Sequence, residues 1–313
     1  MIDRIRRHSD PSDAMSLGYL VLLLVLVATH LPEIDARMAR PEHLVEVAGA
    51  LRALPSWLFL VTHGACLVLV LLLVAYATEA RSRFWRACRH FYLALLVPGL
   101  YKQLLFIIPA VHPGDMDWIL LQLDEAVGGD VLVRALSHVT RDWVTNLLNV
   151  CWSCYALLPF LTVVPLYRRS LDEFRAARLA LSVGWLVCYL GYLLCPAIGM
   201  GYYLDRIGAE GTGSSAAVAV KLKSIFDFLE GQMRDSYPSG HTAIAVAVIW
   251  ANFRFRLLLR WVVAPIAVGT ALATVYLRYH YVVDLFGGVV LGLAGVAFGE
   301  ALLRRCRRRH PLL

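Results

Sequence analysis

Long apolar stretches dominate the chain, and polar residues fall between them in short blocks. A helix needs about 20 mostly apolar residues to cross a bilayer. Stretches of that kind run near 16–31, 56–78, 89–110, 143–166, 177–195, 240–253, 261–277 and 281–302. Backbone polar groups in lipid must be satisfied within the segment, so the pattern predicts an all-α polytopic membrane bundle of about eight transmembrane helices. The first and sixth stretches are short. No small-residue cleavage site follows the first, so it is expected to be a retained helix and not a signal peptide.

Charge tests the count. Arg4, Arg6 and Arg7 precede the first stretch; Arg81, Arg83, Arg86 and Arg89 lie in the second connection. Arg168, Arg169, Arg175 and Arg178 lie in the fourth, Arg254, Arg256 and Arg260 in the sixth, and "RRCRRRH" closes the chain from Arg304 to His310. With an even number of spans every basic cluster falls on one side, which the positive-inside rule makes cytoplasmic, with both termini there. The loops near 32–55, 111–142, 196–239 and 278–280 then face outward. Short loops and an arginine-rich composition point to a bacterial inner membrane with these loops in the periplasm.

Composition agrees. Of 313 residues 59% are hydrophobic and only 17% charged, against about 25% charged in soluble domains. The net charge of +7 reads as topology and contact with anionic membrane lipids. No basic and aromatic groove suggests a nucleic-acid partner. The seven cysteines are an odd number, which argues against a disulfide framework. "CWSC", Cys151 to Cys154, sits inside an apolar stretch without the strand-helix context of a redox motif, so packing is its expected role.

Two outward segments carry candidate chemistry. "RDSYPSGHTA" runs from Arg234 into the sixth stretch, and "VYLRYHYVVDLFGG" joins the seventh to the eighth. Consecutive hairpin partners in a bundle are usually neighbours, so His241 and His280 are expected to meet. His280 and Asp284 are four apart and would share one helical face if the last helix began near residue 280. A carboxylate there would hold the proton on one ring nitrogen and leave the other as nucleophile or base, with His241 as the acid for a leaving oxygen. Pro238 suits the first position of a helix. Ser239 and Gly240 would open the helix N-terminus to a phosphate. Candidate cations for that phosphate are Arg278, Arg234 and Lys102, the last being an ammonium inside a predicted span.

The paired "YPSGHTA" and "YLRYHYVVD" resemble the second and third signatures of the type 2 phosphatidic acid phosphatase superfamily. The resemblance covers roughly residues 90–303 and implies a six-helix catalytic core. It implies that His280 attacks phosphorus to give a phosphohistidine, that Asp284 orients it, that His241 protonates the leaving group, and that Ser239 and Gly240 contact phosphate. The family's usual serine-arginine before the third histidine is replaced by Ala273 and Thr274, and its first signature, a lysine followed by Arg-Pro, is absent. Together with "LLCPAIGMGYYL" and "LLQLDEAVGG" this is similar to the inositol phosphorylceramide synthase-like branch. The resulting division is an N-terminal membrane hairpin (1–88), a catalytic membrane domain (89–305) and a basic cytoplasmic tail (306–313).

The expected partners are a lipid phosphate substrate, membrane lipids and a polyol or lipid hydroxyl acceptor if the reaction is a transfer; no cofactor and no metal are implied. Two other function classes fit the same residues: a non-catalytic lipid transporter or flippase-like bundle whose polar groups line a path, and a metal-dependent membrane hydrolase, since two histidines and an aspartate can ligate zinc. Residues 208–216 read as a flexible loop. Leu222, Ile225, Phe226 and Leu229 within 217–233 share one face, as in an interfacial helix or a lid over the head group.

Overall fold

The computed structural model describes residues 1–38, 55–137, 141–206 and 234–309. The proposed loop and interfacial helix at 208–233 lie outside them. Among the described residues all regular structure is helical, and the residues up to Pro113 and those from Gly114 onward form two compact units.

The first unit contains α1 (Ile2–His8), α2 (Pro11–Thr29), α3 (Leu31–Met38), α4 (Trp57–Leu72, prolonged by a π-turn Leu73–Ala77), α5 (Arg83–Phe91) and α6 (Leu93–Val111). α2 starts where it does because Asp10 and Asp13 close a reciprocal capping box, with Pro11 in the first turn. Asp13 is buried and does more than cap: Arg89 of α5 ion-pairs with it, and the Tyr92 hydroxyl donates to it at 3.0 Å. A buried guanidinium needs such a partner in a membrane protein. Lys102 lies on α6, with its ammonium 5.9 Å from the ring centre of Tyr101.

The second unit contains α7 (Asp117–Ala126), α8 (Gly129–Ser137), α9 (Asp142–Ser153), a 3₁₀ turn (Cys154–Ala156), α10 (Leu158–Arg169), α11 (Leu171–Leu194), α12 (Met200–Arg206), α13 (Gly240–Arg254), α14 (Arg260–Tyr276) and α15 (Val282–Arg309). Its centre is α15 packed on α11 and α13. Gly288 and Gly292 bring α15 against α13, where added methyl groups would lie 2.4 Å from the Ser239 carbonyl oxygen and 2.8 Å from that of Ala243. Gly295 and Gly299 do the same against the Ala180 and Ala176 carbonyls of α11. Small residues on the inner face allow such backbone approach, which drives helix association where lipid is as apolar as the side chains. Val290, Leu293 and Phe298 point outward from the same helix. The far end of α13 is tied down separately, by Arg254 Nε on Glu300 at 2.5 Å.

Each of the eight apolar stretches coincides with helix, but not each reaches spanning length. Five described segments do: Pro11–Thr29, Trp57–Ala77, Arg83–Val111, Leu171–Leu194 and Val282–Cys306. The pair α9 and α10 makes a sixth if its 43° bend is taken within one span. α13 and α14 are helices of 15 and 17 residues. At about 1.5 Å per residue they fall short of a hydrocarbon core about 30 Å thick. They are the hairpin that delivers the two histidine segments. Cys151 packs its sulfur against Gly269 of α14, so the "CWSC" segment is a helix contact: a methyl at Gly269 would meet that sulfur at 2.7 Å.

Candidate active site

The turn before α13 is built from both flanking helices. The Tyr237–Pro238 peptide is cis, and Ser239, not Pro238, stands at the helix start. Ser239 is the N-cap, accepting at its hydroxyl from the Thr242 N–H (3.3 Å) and the Thr242 hydroxyl (3.1 Å). Pro238 therefore precedes the helix instead of opening it, because the serine side chain satisfies an N–H that a proline-first start would leave bare. The Ser239 N–H donates to the Asp284 carbonyl at 3.0 Å, which fastens the turn to α15. With both acceptor sites engaged by Thr242, the Ser239 hydroxyl keeps its own proton for a further acceptor.

The two histidines meet. His280 is 4% exposed, and its Nε2 lies 3.4 Å from His241 Nδ1. On the other side of the ring, His280 Nδ1 is 3.2 Å from Asp284 Oδ2. Asp284 is fully buried and also accepts from the Ser236 hydroxyl (2.5 Å) and the Tyr281 N–H (2.9 Å). The expected contact exists, but not as two residues on one helical face. α15 begins at Val282, so His280 lies ahead of the helix and Asp284, in its first turn, reaches back across the cap. His241 is held between rings: Tyr155 at 4.4 Å and Trp152 at 5.9 Å, with Trp152 stacked in turn on Tyr279 at 4.9 Å.

This order sets the tautomer. A carboxylate facing Nδ1 favours the proton there, which leaves the Nε2 lone pair directed toward His241. Asp284, His280 and His241 are strung in series, so their donor atoms do not gather round one point as zinc ligands do.

The three candidate cations are placed differently. Arg278 sits two residues from His280 in the left-handed region, φ +61°, where a residue other than glycine costs about 1–3 kcal/mol. Its carbonyl accepts from the Gly201 N–H at 2.8 Å. Arg234 Nε lies 2.7 Å from Asp115 Oδ1, and Arg206 pairs with the same carboxylate. Lys102 belongs to the first unit.

Sequence reasoning missed Ser236 and the anchor behind Tyr281. Asp117, fully buried, accepts from the Ile198 N–H (2.9 Å), the Gly199 N–H (3.0 Å) and the Tyr281 hydroxyl (3.1 Å). Asp124 accepts from the Val283 N–H at 2.8 Å. The two aspartates of α7 thus pin residues that lie between His280 and Asp284, and acidic residues in a mostly apolar run were the available signal. Burial pushes Asp117 up to about 6, against the donated N–H bonds that pull it down. Its folded value then lies above the ordinary 3.8, so ionisation costs the fold. That cost is absent below about pH 4 and complete above pH 6. Asp117→Asn would leave one buried N–H facing an amide N–H, at about 1–3 kcal/mol. Thermal melts in detergent should therefore show a deficit relative to wild type that is widest near pH 4 and narrows as pH rises through 6; a gap that widens instead would contradict this anchor.

A family model for the PAP2 superfamily matches residues 118–298, more than half of the chain and the whole stretch from α7 into α15. The chain belongs to the PAP2 superfamily. No curated protein and no solved structure matches it. As a PAP2 protein with several helices apolar enough to cross a membrane, it falls among the membrane phosphatases and phosphotransferases. The matched stretch contains Ser239, Gly240, His241, Arg278, His280 and Asp284 and leaves out Lys102.

Proposed function

We propose that the protein is a metal-independent lipid phosphatase or phosphotransferase that works through a phosphohistidine on His280. The serial order of Asp284, His280 and His241 beside the start of α13 carries this reading. The Nε2 lone pair attacks phosphorus, the ester P–O bond breaks, and the departing oxygen takes a proton from His241. In the second half, a hydroxyl gives its proton to His241 as its oxygen bonds to phosphorus, and the P–N bond breaks with its electron pair returning to Nε2. Water as that hydroxyl makes a phosphatase; a polyol or lipid alcohol makes a transferase.

The helix N-terminus and the Ser239 hydroxyl supply donors for phosphate. Arg278 supplies charge, and its strained backbone supports a role that a glycine could not fill. Arg234 reaches the same anion only by loosening Asp115. The absent Lys-Arg-Pro signature and the buried aspartate in "LLQLDEAVGG" support the inositol phosphorylceramide synthase-like branch, with an inositol-like acceptor. A periplasmic active site in a bacterial inner membrane accords with the placing of His241 at one end of α13 and Arg254, paired with Glu300, at the other.

The test is a panel of lipid phosphates and phosphodiesters, with and without inositol, in detergent, with products identified by mass. The expected outcome is turnover indifferent to chelator, with an inositol-phosphate product when inositol is supplied. Activity lost to chelator and restored by zinc would instead support the metal hydrolase, and phosphate release alone would leave the phosphatase.

A further inference from the structure

The start of α13 leaves donors unused. The Thr242 and Ala243 N–H groups are taken by the Ser239 hydroxyl and carbonyl. The Gly240 and His241 N–H groups have no hydrogen-bond partner among the described residues. A helix start of this kind accepts an anion. Beside it stands Tyr192, near the end of α11 and 4% exposed. A methyl group on Gly240 would lie 2.7 Å from the Tyr192 hydroxyl oxygen. The phenol therefore occupies the space next to the Gly240 Cα, with no hydrogen-bond partner among the described residues.

The residue is 4% exposed, yet its hydroxyl oxygen is not among the enclosed polar atoms left without a partner, so the oxygen keeps an accessible side. A phenol there offers a hydrogen-bond donor to an arriving substrate that phenylalanine of the same shape lacks. We propose that Tyr192 is a substrate-contacting residue whose hydroxyl donates a hydrogen bond to a phosphate oxygen seated on the Gly240 and His241 N–H groups. This rests on the phosphoryl-transfer reading above and adds to it a neutral donor from a third helix, beside Gly240. The same position explains Gly240: any side chain there would push the phenol away.

The test is Tyr192→Phe in the full-length protein, read by lipid-phosphate turnover, by inhibition with orthovanadate as a phosphate analogue, and by thermal melting. The expected result is kcat/KM lower by on the order of 10²-fold, with inhibition requiring at least about tenfold more orthovanadate, and a Tm equal to or above that of wild type. Unchanged turnover and inhibition overturn the proposal while leaving the His280 reading intact. A variant that melts earlier or fails to fold overturns it too, because the hydroxyl would then be a structural group. Wild-type protein that turns over but ignores orthovanadate removes the phosphate-site reading and this proposal with it.

Discussion

His280→Ala is expected to lower turnover of a lipid phosphate by about 10⁴-fold or more, since removing a covalent nucleophile leaves only binding and charge stabilisation. The loss should be chemical. Asp284 keeps the Ser236 hydroxyl and the Tyr281 N–H as donors, and the α15 packing through Gly288, Gly292, Gly295 and Gly299 does not involve the ring. The variant should therefore purify and melt like wild type within a few degrees. Activity near the wild-type level in a folded variant would show that phosphorus is attacked by something else.

His241→Ala is expected to act more selectively. An acid matters in proportion to how badly the leaving oxygen needs a proton, so loss with a lipid alcohol should be about 10²- to 10⁴-fold. With p-nitrophenyl phosphate, whose leaving group departs as a stable phenolate, the loss should be far smaller. Paired kcat measurements on the two substrates check this. Equal losses on both would mean that His241 serves to hold phosphate or His280 and does not deliver the proton. The ring stack of Tyr155 and Trp152 on His241 means that some loss from a disturbed site is expected with either substrate, so the ratio is the informative quantity.

The helices were legible wherever a segment's own composition decides its structure. All eight apolar stretches are helical, since bare backbone is not tolerated in lipid. What hydropathy could not supply were endpoints and bends. α11 begins at Leu171, well before its apolar stretch, because Ser170 caps it and Asp172 and Glu173 favour its first turn. α15 runs on through Arg304 and Arg305 although the apolar pattern ends near 302. The bend between α9 and α10 follows from a 3₁₀ turn and Pro159, local features that a sum over apolar residues hides.

The site divides along the same line. His280 and Asp284 are close in sequence, and His241 arrives from the adjoining hairpin, so spacing and topology together suffice to bring the three into one neighbourhood. Ser236, Asp117 and Tyr192 carry no such signal. Ser236 reaches Asp284 across 48 positions, and Tyr281 reaches Asp117 across 164. Tyr192 matters only through the gap that Gly240 leaves beside it. Pro238 was misplaced by local preference alone: proline suits a first helical turn, but a neighbouring serine that satisfies an N–H takes the cap.

The most direct measurement is capture of the covalent intermediate. Turnover of a phosphorus-labelled lipid is quenched under alkaline denaturing conditions, the protein is digested, and the labelled peptide is sequenced by mass spectrometry. The expected result is label that is stable to alkali and labile to acid, carried on His280, absent from His280→Ala and lost on a chase with water or an acceptor alcohol. Label on His241, or steady turnover under quench conditions that preserve phosphohistidine with no labelled residue at all, would contradict the mechanism.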